Sequence, residues 1–220
     1  MQNTIELKAC IFDLDGVIVD TAKYHYAAWR RMANELGFDF SLAQNEALKG
    51  VSRMQSLELI LGIGDVQKTE EEKLALTQQK NEWYLELIKE MGREEILPGV
   101  LDFLDFLKSK GIRIALGSAS KNAVLILEKL ALMPYFEAII DGTKTVNAKP
   151  HPEVFLKAAT ALNIPPKHCI VFEDAPKGVQ AALAGEMYCI GVGAEADLGA
   201  AHQVISGFEG LKEEKIFQQL

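Results

Sequence analysis

The sequence predicts an α/β protein with an open, doubly wound parallel sheet as its core and a helical cap inserted after the first strand. Two observations predict this fold. Short apolar runs bounded by turn residues alternate with helical patterns along the chain, which is typical of buried parallel strands joined by helices. Roughly eighty residues of helical pattern also separate the first apolar run from the second, far more than a crossover connection needs.

Five apolar runs are the predicted strands of the sheet. They cover residues 9–12, 112–116, 138–140, 169–172 and 188–192. Helical periodicity between and after these runs predicts helices over residues 100–108, 123–130, 152–162 and 177–184. Because each strand is followed by a helix, successive strands run parallel and the helices cover both faces of the sheet.

The inserted segment is predicted to be almost entirely helical. Periodic residues 21–36 stop at Gly37, and the charged residues 70–91 stop at Gly92, since glycine commonly ends a helix. Residues 48–53 form a loop before another short helix, and the Pro98-Gly99 pair marks the return to the sheet. The predicted domains are therefore a core of residues 1–19 and 93–220 and a cap of residues 20–92. The last thirty residues carry no recognisable motif and are assigned to packing.

Composition excludes several classes of function. The formal net charge is −8, and the lysines and arginines are scattered, so nucleic acid is not an expected partner. No stretch approaches the ~20 apolar residues that span a bilayer, and the start of the sequence lacks the pattern of a signal peptide. We therefore expect no membrane association, a cytoplasmic location and a monomer. The three cysteines lie in apolar strands without metal-binding spacing, which favours reduced core thiols.

Charged and polar side chains follow four of the predicted strands, at the sheet edge where ligands bind in this class of fold. They are Asp13, Asp15, Ser118, Lys149, Glu173 and Asp174. Four carboxylates at one edge would repel one another unless a cation lay among them, and oxygen ligands favour Mg²⁺. We expect Asp13 and Asp174 to be direct ligands and Asp15 to contribute its backbone carbonyl. Glu173 is either a ligand or the partner of one.

The same residues suit phosphoryl transfer. The Asp13 carboxylate can attack a phosphoryl group and form an aspartyl phosphate. Asp15, two residues on, is placed to act as general acid and base. Ser118 and Lys149 would hold the transferring phosphoryl oxygens.

The Asp-x-Asp-Gly segment has two other interpretations. Such a segment is often a solvated turn when it occurs alone. The pattern of a calcium-binding loop would place Ile11 at the first ligand position, where a carboxylate is required. A chance placement of all the polar residues after predicted strands is much less probable, which favours the catalytic interpretation.

The residues Ile11-Phe12-Asp13-Leu14-Asp15-Gly16, Ser118, Lys149 and Glu173-Asp174 resemble the four motifs of the haloacid dehalogenase superfamily. This resemblance implies a Rossmann-like core, Mg²⁺, an aspartyl intermediate and a mobile cap that closes over the site. Most members are similar to phosphatases, so a sugar phosphatase stays open as an alternative. A phosphosugar-binding module without catalysis would lack Asp13 or Asp15, and this sequence has both.

A mutase that works through a bisphosphate must hold a second phosphate, and several residues suit that task. Arg53 in the cap loop can bind phosphate in a bidentate manner, with Ser120 and Asn122 as its companions. Gly50 would allow close approach of the backbone to a ligand. Thr21, His25 and Trp29 share one face of the first cap helix, which predicts a buried Trp29. For His25 taken alone, the ordinary interpretation is a packed or solvated histidine.

The wider pattern extends this resemblance to the phosphoglucomutase branch of the superfamily. It covers residues 13–25 with Trp29, residues 48–53 and residues 118–122. The resemblance implies that His25 and Lys80 couple cap closure to the positioning of Asp15. Substrate and phosphate contacts are assigned by the same resemblance to Gly16, Thr21, His25, Trp29, Lys49, Gly50, Val51, Arg53, Ser56, Lys80, Ser118, Ala119, Ser120, Lys121, Asn122 and Lys149.

The expected activity is that of a magnesium-dependent isomerase of carbohydrate metabolism. It would interconvert beta-D-glucose 1-phosphate and D-glucose 6-phosphate through beta-glucose 1,6-bisphosphate, with phosphorylated Asp13 as the donor. The expected partners are small hexose phosphates.

Overall fold

Six parallel strands form one sheet at the centre of the structure, a computed structural model that describes residues 6–212 and 216–217. Across the sheet the strands are ordered β3-β2-β1-β4-β5-β6. Their bounds are β1 Ala9–Phe12, β2 Arg113–Gly117, β3 Ala138–Ile140, β4 Cys169–Glu173, β5 Tyr188–Val192 and β6 Gln203–Ile205. The chain winds outwards from β1 in one direction and returns to continue from β4 in the other, which confirms the doubly wound sheet.

The predicted strands agree closely with the observed ones. Strands β1, β3 and β5 begin and end as predicted, β2 begins and ends one residue later, and β4 continues to Glu173. The assignment of the last thirty residues to packing alone was wrong, because this segment also supplies β6 and a short helix. Strand β6 has only three residues, too few for an apolar run to be recognised. Residues 213–215 and 218–220 lie outside the described part of the chain.

Helices cover both faces of the sheet, as the alternation of strands and helices predicts. After the cap, the helices are α5 Val100–Ser109, α6 Ala123–Lys129, α7 Glu153–Ala161, α8 Pro176–Ala184 and α9 Glu195–Leu198. Residues of α5 and α6 pack with Cys10 and Phe12 of β1, whereas residues of α7 and α8 pack with Ala9 and Ile11 of the same strand. Successive side chains of a strand point to opposite faces, so β1 is buried on both sides.

The cap is formed by the four helices that follow β1 and precede α5. They are α1 Ala22–Glu35, α2 Leu42–Glu46, α3 Arg53–Ile63 and α4 Glu70–Leu87. The predicted helix over residues 70–91 is too long, because the chain changes to a 3-10 helix at Ile88–Glu90. Capping boxes begin α2, α3 and α4 at Ser41, Ser52 and Thr69. Each of these side chains accepts a hydrogen bond from a free amide of the first turn, and this stabilises short helices.

The two segments that connect the cap with the core run side by side. Val19 forms an antiparallel bridge with Ile96, and the Asp20 amide donates to the Glu95 carbonyl at 2.8 Å. The division into a core of residues 1–19 and 93–220 and a cap of residues 20–92 stays a prediction. Both predicted boundaries lie close to these two connecting segments.

Cys10, Cys169 and Cys189 are buried and unpaired. No described helix combines the length and apolar character required to cross a bilayer.

Aromatic side chains fill the face of the sheet that packs against α5. Phe12 of β1 stacks on Phe172 of β4 with ring centroids 4.7 Å apart. Phe103 of α5 packs edge-on against Phe172, with ring centroids 5.3 Å apart. Its ring is tilted against that of Phe208, with centroids 5.0 Å apart. Because Asp13 directly follows β1 and Glu173 ends β4, the aromatic cluster fixes the position of the sheet edge that carries the carboxylates.

Phe103→Ala should lower the free energy of unfolding by about 3–5 kcal/mol, since it removes a buried ring from a close-packed cluster. Phe103 is 1% exposed. Urea unfolding of wild type and variant measures the loss, and Leu125→Ala at a 45% exposed position is the matched control. A loss below about 1 kcal/mol, in the usual range for surface changes, would contradict the central place of this cluster.

Candidate active site

Asp13 lies at the end of β1, where the fold holds both its backbone and its side chain. Its amide donates to the Phe172 carbonyl of the adjacent strand at 3.0 Å. Lys149 Nζ donates to Asp13 Oδ1 at 2.7 Å and to Glu173 Oε2 at 3.2 Å. Lys149 is almost completely buried. Although burial alone would lower it, the two carboxylates raise the pKa of Lys149 above its usual range, so this lysine stays charged.

Three carboxylates meet beside Lys149. Oxygens of Asp13, Glu173 and Asp174 lie within 4.8 Å of one another. Burial raises the pKa of Glu173 above its usual range and raises the pKa of Asp174 to about 7. The negative charge of Asp13 adds to both shifts. Glu173 Oε1 is buried and has no hydrogen-bond partner among the described residues. A bound divalent cation would relieve this repulsion, so the oxygen donor set fits a hard metal ion.

Gly16 allows this cluster to form. Its φ of +76° lies in the left-handed region, and a Cβ atom there would lie 2.2 Å from Asp174 Oδ2. Any other residue would strain the turn and displace the carboxylate. The Asp-x-Asp-Gly segment therefore needs glycine at this position, both for its backbone conformation and for the close approach of Asp174.

The Asp15 side chain points away from the three-carboxylate cluster and towards the cap. The Thr21 hydroxyl donates a hydrogen bond to Asp15 Oδ1, and His25 Nε2 lies 4.0 Å from the same oxygen. Burial, followed by the charge of Asp13, raises the pKa of Asp15 to about 6. This carboxyl group is thus oriented by Thr21 and titrates nearer neutrality than an exposed aspartate does.

A pair of side chains from two cap helices, the half-buried His25 and the buried Lys80, stands next to Asp15. Lys80 Nζ lies 2.9 Å from His25 Nδ1, and it sits over the rings of Trp29 and Tyr84 at 4.6 and 4.7 Å. Burial first, and then Arg53, lowers the pKa of Lys80 to about 7. Burial also lowers the pKa of His25, helped by the positive charge of Lys80. A neutral His25 that accepts from Lys80 through Nδ1 carries its proton on Nε2, which faces Asp15.

Arg53 lies in the same cavity and belongs to a hydrogen-bonded group with residues of α4 and the core. Its Nη2 atom donates to Asn81 Oδ1 at 2.7 Å, and Asn122 Nδ2 donates to the same oxygen at 3.0 Å. Within the core loop, the Ser120 amide donates to Ser118 Oγ at 3.1 Å and the Asn122 amide to Ser120 Oγ at 3.2 Å. These bonds fix the loop that follows β2.

One cavity of about 970 Å³ joins these groups. Its lining includes most of the predicted residues: Asp13, Asp15, Gly16, Thr21, His25, Trp29, Lys49, Gly50, Val51, Arg53, Ser56, Lys80, Ala119, Ser120, Lys121, Asn122 and Asp174. Ser118, Lys149 and Glu173 are instead buried behind the wall of the cavity. The cap loop closes one side, because a Cβ atom on Gly50 would lie 2.9 Å from the Ala175 Cβ atom of the core.

Sequence reasoning missed several residues of the site. Asn81 and Tyr84 come from α4, and Tyr84 stacks on the His25 ring with centroids 4.2 Å apart. Their sequence signal was only helical spacing, since Tyr84 follows Lys80 by one turn. The segment Ser206–Glu209 also lines the cavity, although it belongs to the residues that were assigned to packing. No motif in that segment could have indicated this position.

Known proteins are similar to this chain over most of its length. The family model of haloacid dehalogenase-like hydrolases matches residues 7–185. A beta-phosphoglucomutase of Bacillus subtilis is 40% identical over 215 residues, covering 97% of this chain and 95% of that protein. A phosphorylated carbohydrates phosphatase of Thermotoga maritima is 31% identical over 204 residues, covering 91% of this chain and 88% of that protein.

A solved structure is similar over nearly the whole chain. The crystal structure of a beta-phosphoglucomutase from Clostridium difficile has a TM-score of 0.92 and 45% identity, and the match covers 97% of this chain and 96% of that one. The α/β fold with an inserted helical cap is therefore confirmed. By its motifs, its fold and the matched family model, the chain belongs to the haloacid dehalogenase-like hydrolase family.

Proposed function

We propose that this protein is a beta-phosphoglucomutase. It interconverts beta-D-glucose 1-phosphate and D-glucose 6-phosphate through beta-glucose 1,6-bisphosphate and an aspartyl-phosphate enzyme. The observation that carries the proposal is the presence of Arg53 in the same cavity as Asp13. One end of the cavity suits phosphoryl transfer, and the other offers a guanidinium for a second phosphate. The relatives of Bacillus subtilis and Clostridium difficile named beta-phosphoglucomutase support this choice.

The transfer end of the cavity uses Mg²⁺ in this proposal. Asp13, Asp174 and the backbone carbonyl of Asp15 would hold the ion, and Glu173 is either a further ligand or the partner of one. The unpartnered, buried Glu173 Oε1 atom and the clustered carboxylates support such a site. A bound Mg²⁺ ion neutralises carboxylate charge and polarises phosphoryl oxygens.

Asp13 is the proposed nucleophile. Its carboxylate oxygen forms a bond to phosphorus while the bond from phosphorus to the departing oxygen breaks. Lys149 holds the Asp13 carboxylate at 2.7 Å and stays positively charged beside the developing negative charge. Ser118 is fully buried, and its hydroxyl accepts a hydrogen bond from the Ser120 amide. Its proposed role is to contact an oxygen of the transferring phosphoryl group.

Asp15 is the proposed general acid and base. In the first transfer it takes the proton of the sugar hydroxyl that attacks phosphorylated Asp13, which yields the bisphosphate and frees the Asp13 carboxylate. In the second transfer Asp13 attacks the other phosphate of the bisphosphate, and Asp15 donates the proton to the departing sugar oxygen. Its raised pKa of about 6 makes both protonation states accessible near neutral pH. Thr21 orients the carboxyl group, His25 Nε2 lies 4.0 Å from it, and Lys80 contacts His25 on the side of the cap.

A sugar phosphatase is the second candidate, because one relative is named a phosphorylated carbohydrates phosphatase. Water would then replace the sugar hydroxyl as acceptor on the same aspartyl phosphate. The presence of Arg53 in the same cavity as Asp13 favours the mutase, because a phosphatase has to hold only one phosphate. The monomeric state, the cytoplasmic location and hexose phosphates as partners stay predictions.

One assay separates the two candidates. The protein is incubated with Mg²⁺, a trace of glucose 1,6-bisphosphate and each anomer of glucose 1-phosphate. Formation of glucose 6-phosphate from the beta anomer supports the mutase, and stoichiometric release of inorganic phosphate without isomer formation supports the phosphatase. Asp13→Asn is the blank for both reactions, because an amide cannot form the acyl phosphate.

Asp15→Asn should slow glucose 6-phosphate formation by ~100-fold or more, the usual scale of general acid and base catalysis, while substrate affinity stays near the wild-type value. Steady-state turnover and calorimetric binding of glucose 6-phosphate measure the two effects. Asp102→Asn, at an exposed position of α5, is the matched control. A wild-type rate in the Asp15 variant would assign the proton transfer to another group.

Chelation should abolish turnover, and added Mg²⁺ should restore it, because the clustered carboxylates otherwise repel the substrate phosphate. Asp174→Asn should raise the Mg²⁺ concentration for half-maximal activity by roughly tenfold or more, since changes of metal ligands and their partners carry costs of that size. Calorimetric titration of Mg²⁺ into the protein gives a readout independent of activity, with Asp102→Asn again as control. Full turnover after verified metal depletion would refute the metal site.

Arg53→Ala should weaken phosphosugar binding by roughly one to two powers of ten, because a charge-assisted contact contributes ~1.5–3 kcal/mol. Acetyl phosphate has no distal phosphate, so the phosphorylation of Asp13 by it should change much less. Released bisphosphate should also accumulate during turnover. Arg30→Ala removes the same charge from an exposed position that pairs with Asp39 and serves as control. Equal damage to both phosphoryl donors would indicate a general structural role for Arg53.

A further inference from the structure

A single oxygen atom joins the cap to the core at the far end of the cavity. Asn81 Oδ1 accepts from Arg53 Nη2 at 2.7 Å and from Asn122 Nδ2 at 3.0 Å. Arg53 begins α3, Asn81 belongs to α4, and Asn122 precedes α6 of the core. Two cap helices and one core loop therefore meet at the Asn81 amide group.

The chemistry of these groups fixes their orientation. Arginine has donors only, so the Asn81 atom that faces Arg53 must be the carbonyl oxygen. That oxygen then requires a donor from Asn122, and its Nδ2 atom supplies one. Arg53 keeps the rest of its N–H groups for a ligand, because only Nη2 is used by Asn81.

Asn81 also leaves the charge of Arg53 intact. Arg53 is partly buried, and burial lowers the pKa of its guanidinium, so the side chain needs a hydrogen-bond acceptor where water is limited. A carboxylate in this place would form an ion pair and repel an incoming phosphate. A neutral amide satisfies the guanidinium and preserves its attraction for an anion.

We propose that Asn81 is a positioning residue for the distal phosphate, holding Arg53 of the cap and Asn122 of the core in one phosphate-binding arrangement. This inference rests on the proposed function. Arg53 and Asn122 line the cavity, whereas Asn81 acts through them. Because its oxygen bonds to both parts of the protein, the arrangement exists only while the cap covers the core. Retention of the bisphosphate intermediate thus depends on Asn81 as well as on Arg53.

The test compares Asn81→Ala and Asn81→Asp with wild type. Asn81→Ala should raise the KM for phosphosugars by about tenfold, the scale of losing hydrogen bonds that orient a charged group. It should leave phosphorylation of Asp13 by acetyl phosphate near the wild-type rate. Asn81→Asp should raise the KM further, because its negative charge opposes the phosphate. Gln78→Ala, an exposed change one turn earlier on α4 that affects only a bond to Glu82, should change neither reaction.

A double variant separates positioning from general packing. If Asn81 acts through Arg53, then Asn81→Ala should add less than about twofold to the KM of an Arg53→Ala protein, because coupled residues are not additive. Multiplication of the two separate effects would overturn the proposal, as would a wild-type KM in Asn81→Ala. Equal loss of the acetyl phosphate reaction would also overturn it, since the role would then be structural.

Direct binding keeps this inference distinct from the proposed function. Calorimetric titration of glucose 6-phosphate measures the distal contact whether or not isomer formation occurs. If wild type binds the sugar phosphate but forms no isomer, and Asn81→Ala weakens that binding about tenfold, the positioning role stands and the mutase assignment fails. If wild type is an active mutase and Asn81→Ala binds with unchanged affinity, the positioning role alone fails.

Discussion

The repulsion among buried carboxylates at the carboxyl edge of the sheet is the constraint on which the rest of the site depends. Asp13, Glu173 and Asp174 lie too close together to be charged without compensation. Lys149 provides part of that compensation from beneath, through bonds to Asp13 and Glu173. A bound divalent cation would supply the remainder, so the edge that the fold stabilises also suits a metal ion.

The cap supplies what the core edge lacks. The core brings an excess of negative charge, whereas Arg53 and Lys80 of the cap bring positive charge into the same cavity. Lys80 is buried between aromatic rings, and its pKa of about 7 leaves its charge sensitive to its surroundings. A buried cation of this kind is stabilised when a phosphorylated ligand or Asp15 lies close by. Cap and core are therefore complementary in charge as well as in shape.

The sequence predicts the parts of this arrangement that depend on local pattern. Strands β1, β3 and β5 are apolar runs between turns, and Asp13 follows the end of such a run, so the carboxylate edge could be located in advance. Strand β6 was missed because its pairing with β5, rather than its three residues, makes it a strand. The end of α4 at Leu87 was missed because the following 3-10 turn continues the helical pattern. Asn81 has a role only through bonds to residues distant in the chain.

The proposed reaction explains why the two ends of the cavity bind phosphate by different means. A bisphosphate intermediate must turn end over end between the two transfers, so each end has to accept either phosphate in turn. Near Asp13 the phosphoryl group must react, and Lys149, together with a cation held by the carboxylate cluster, would stabilise the negative charge of the transition state. At the far end the phosphate must be held and then released, for which the hydrogen bonds of Arg53 suffice. Since Asn81 orients Arg53 without neutralising it, binding there stays reversible and depends on the cap.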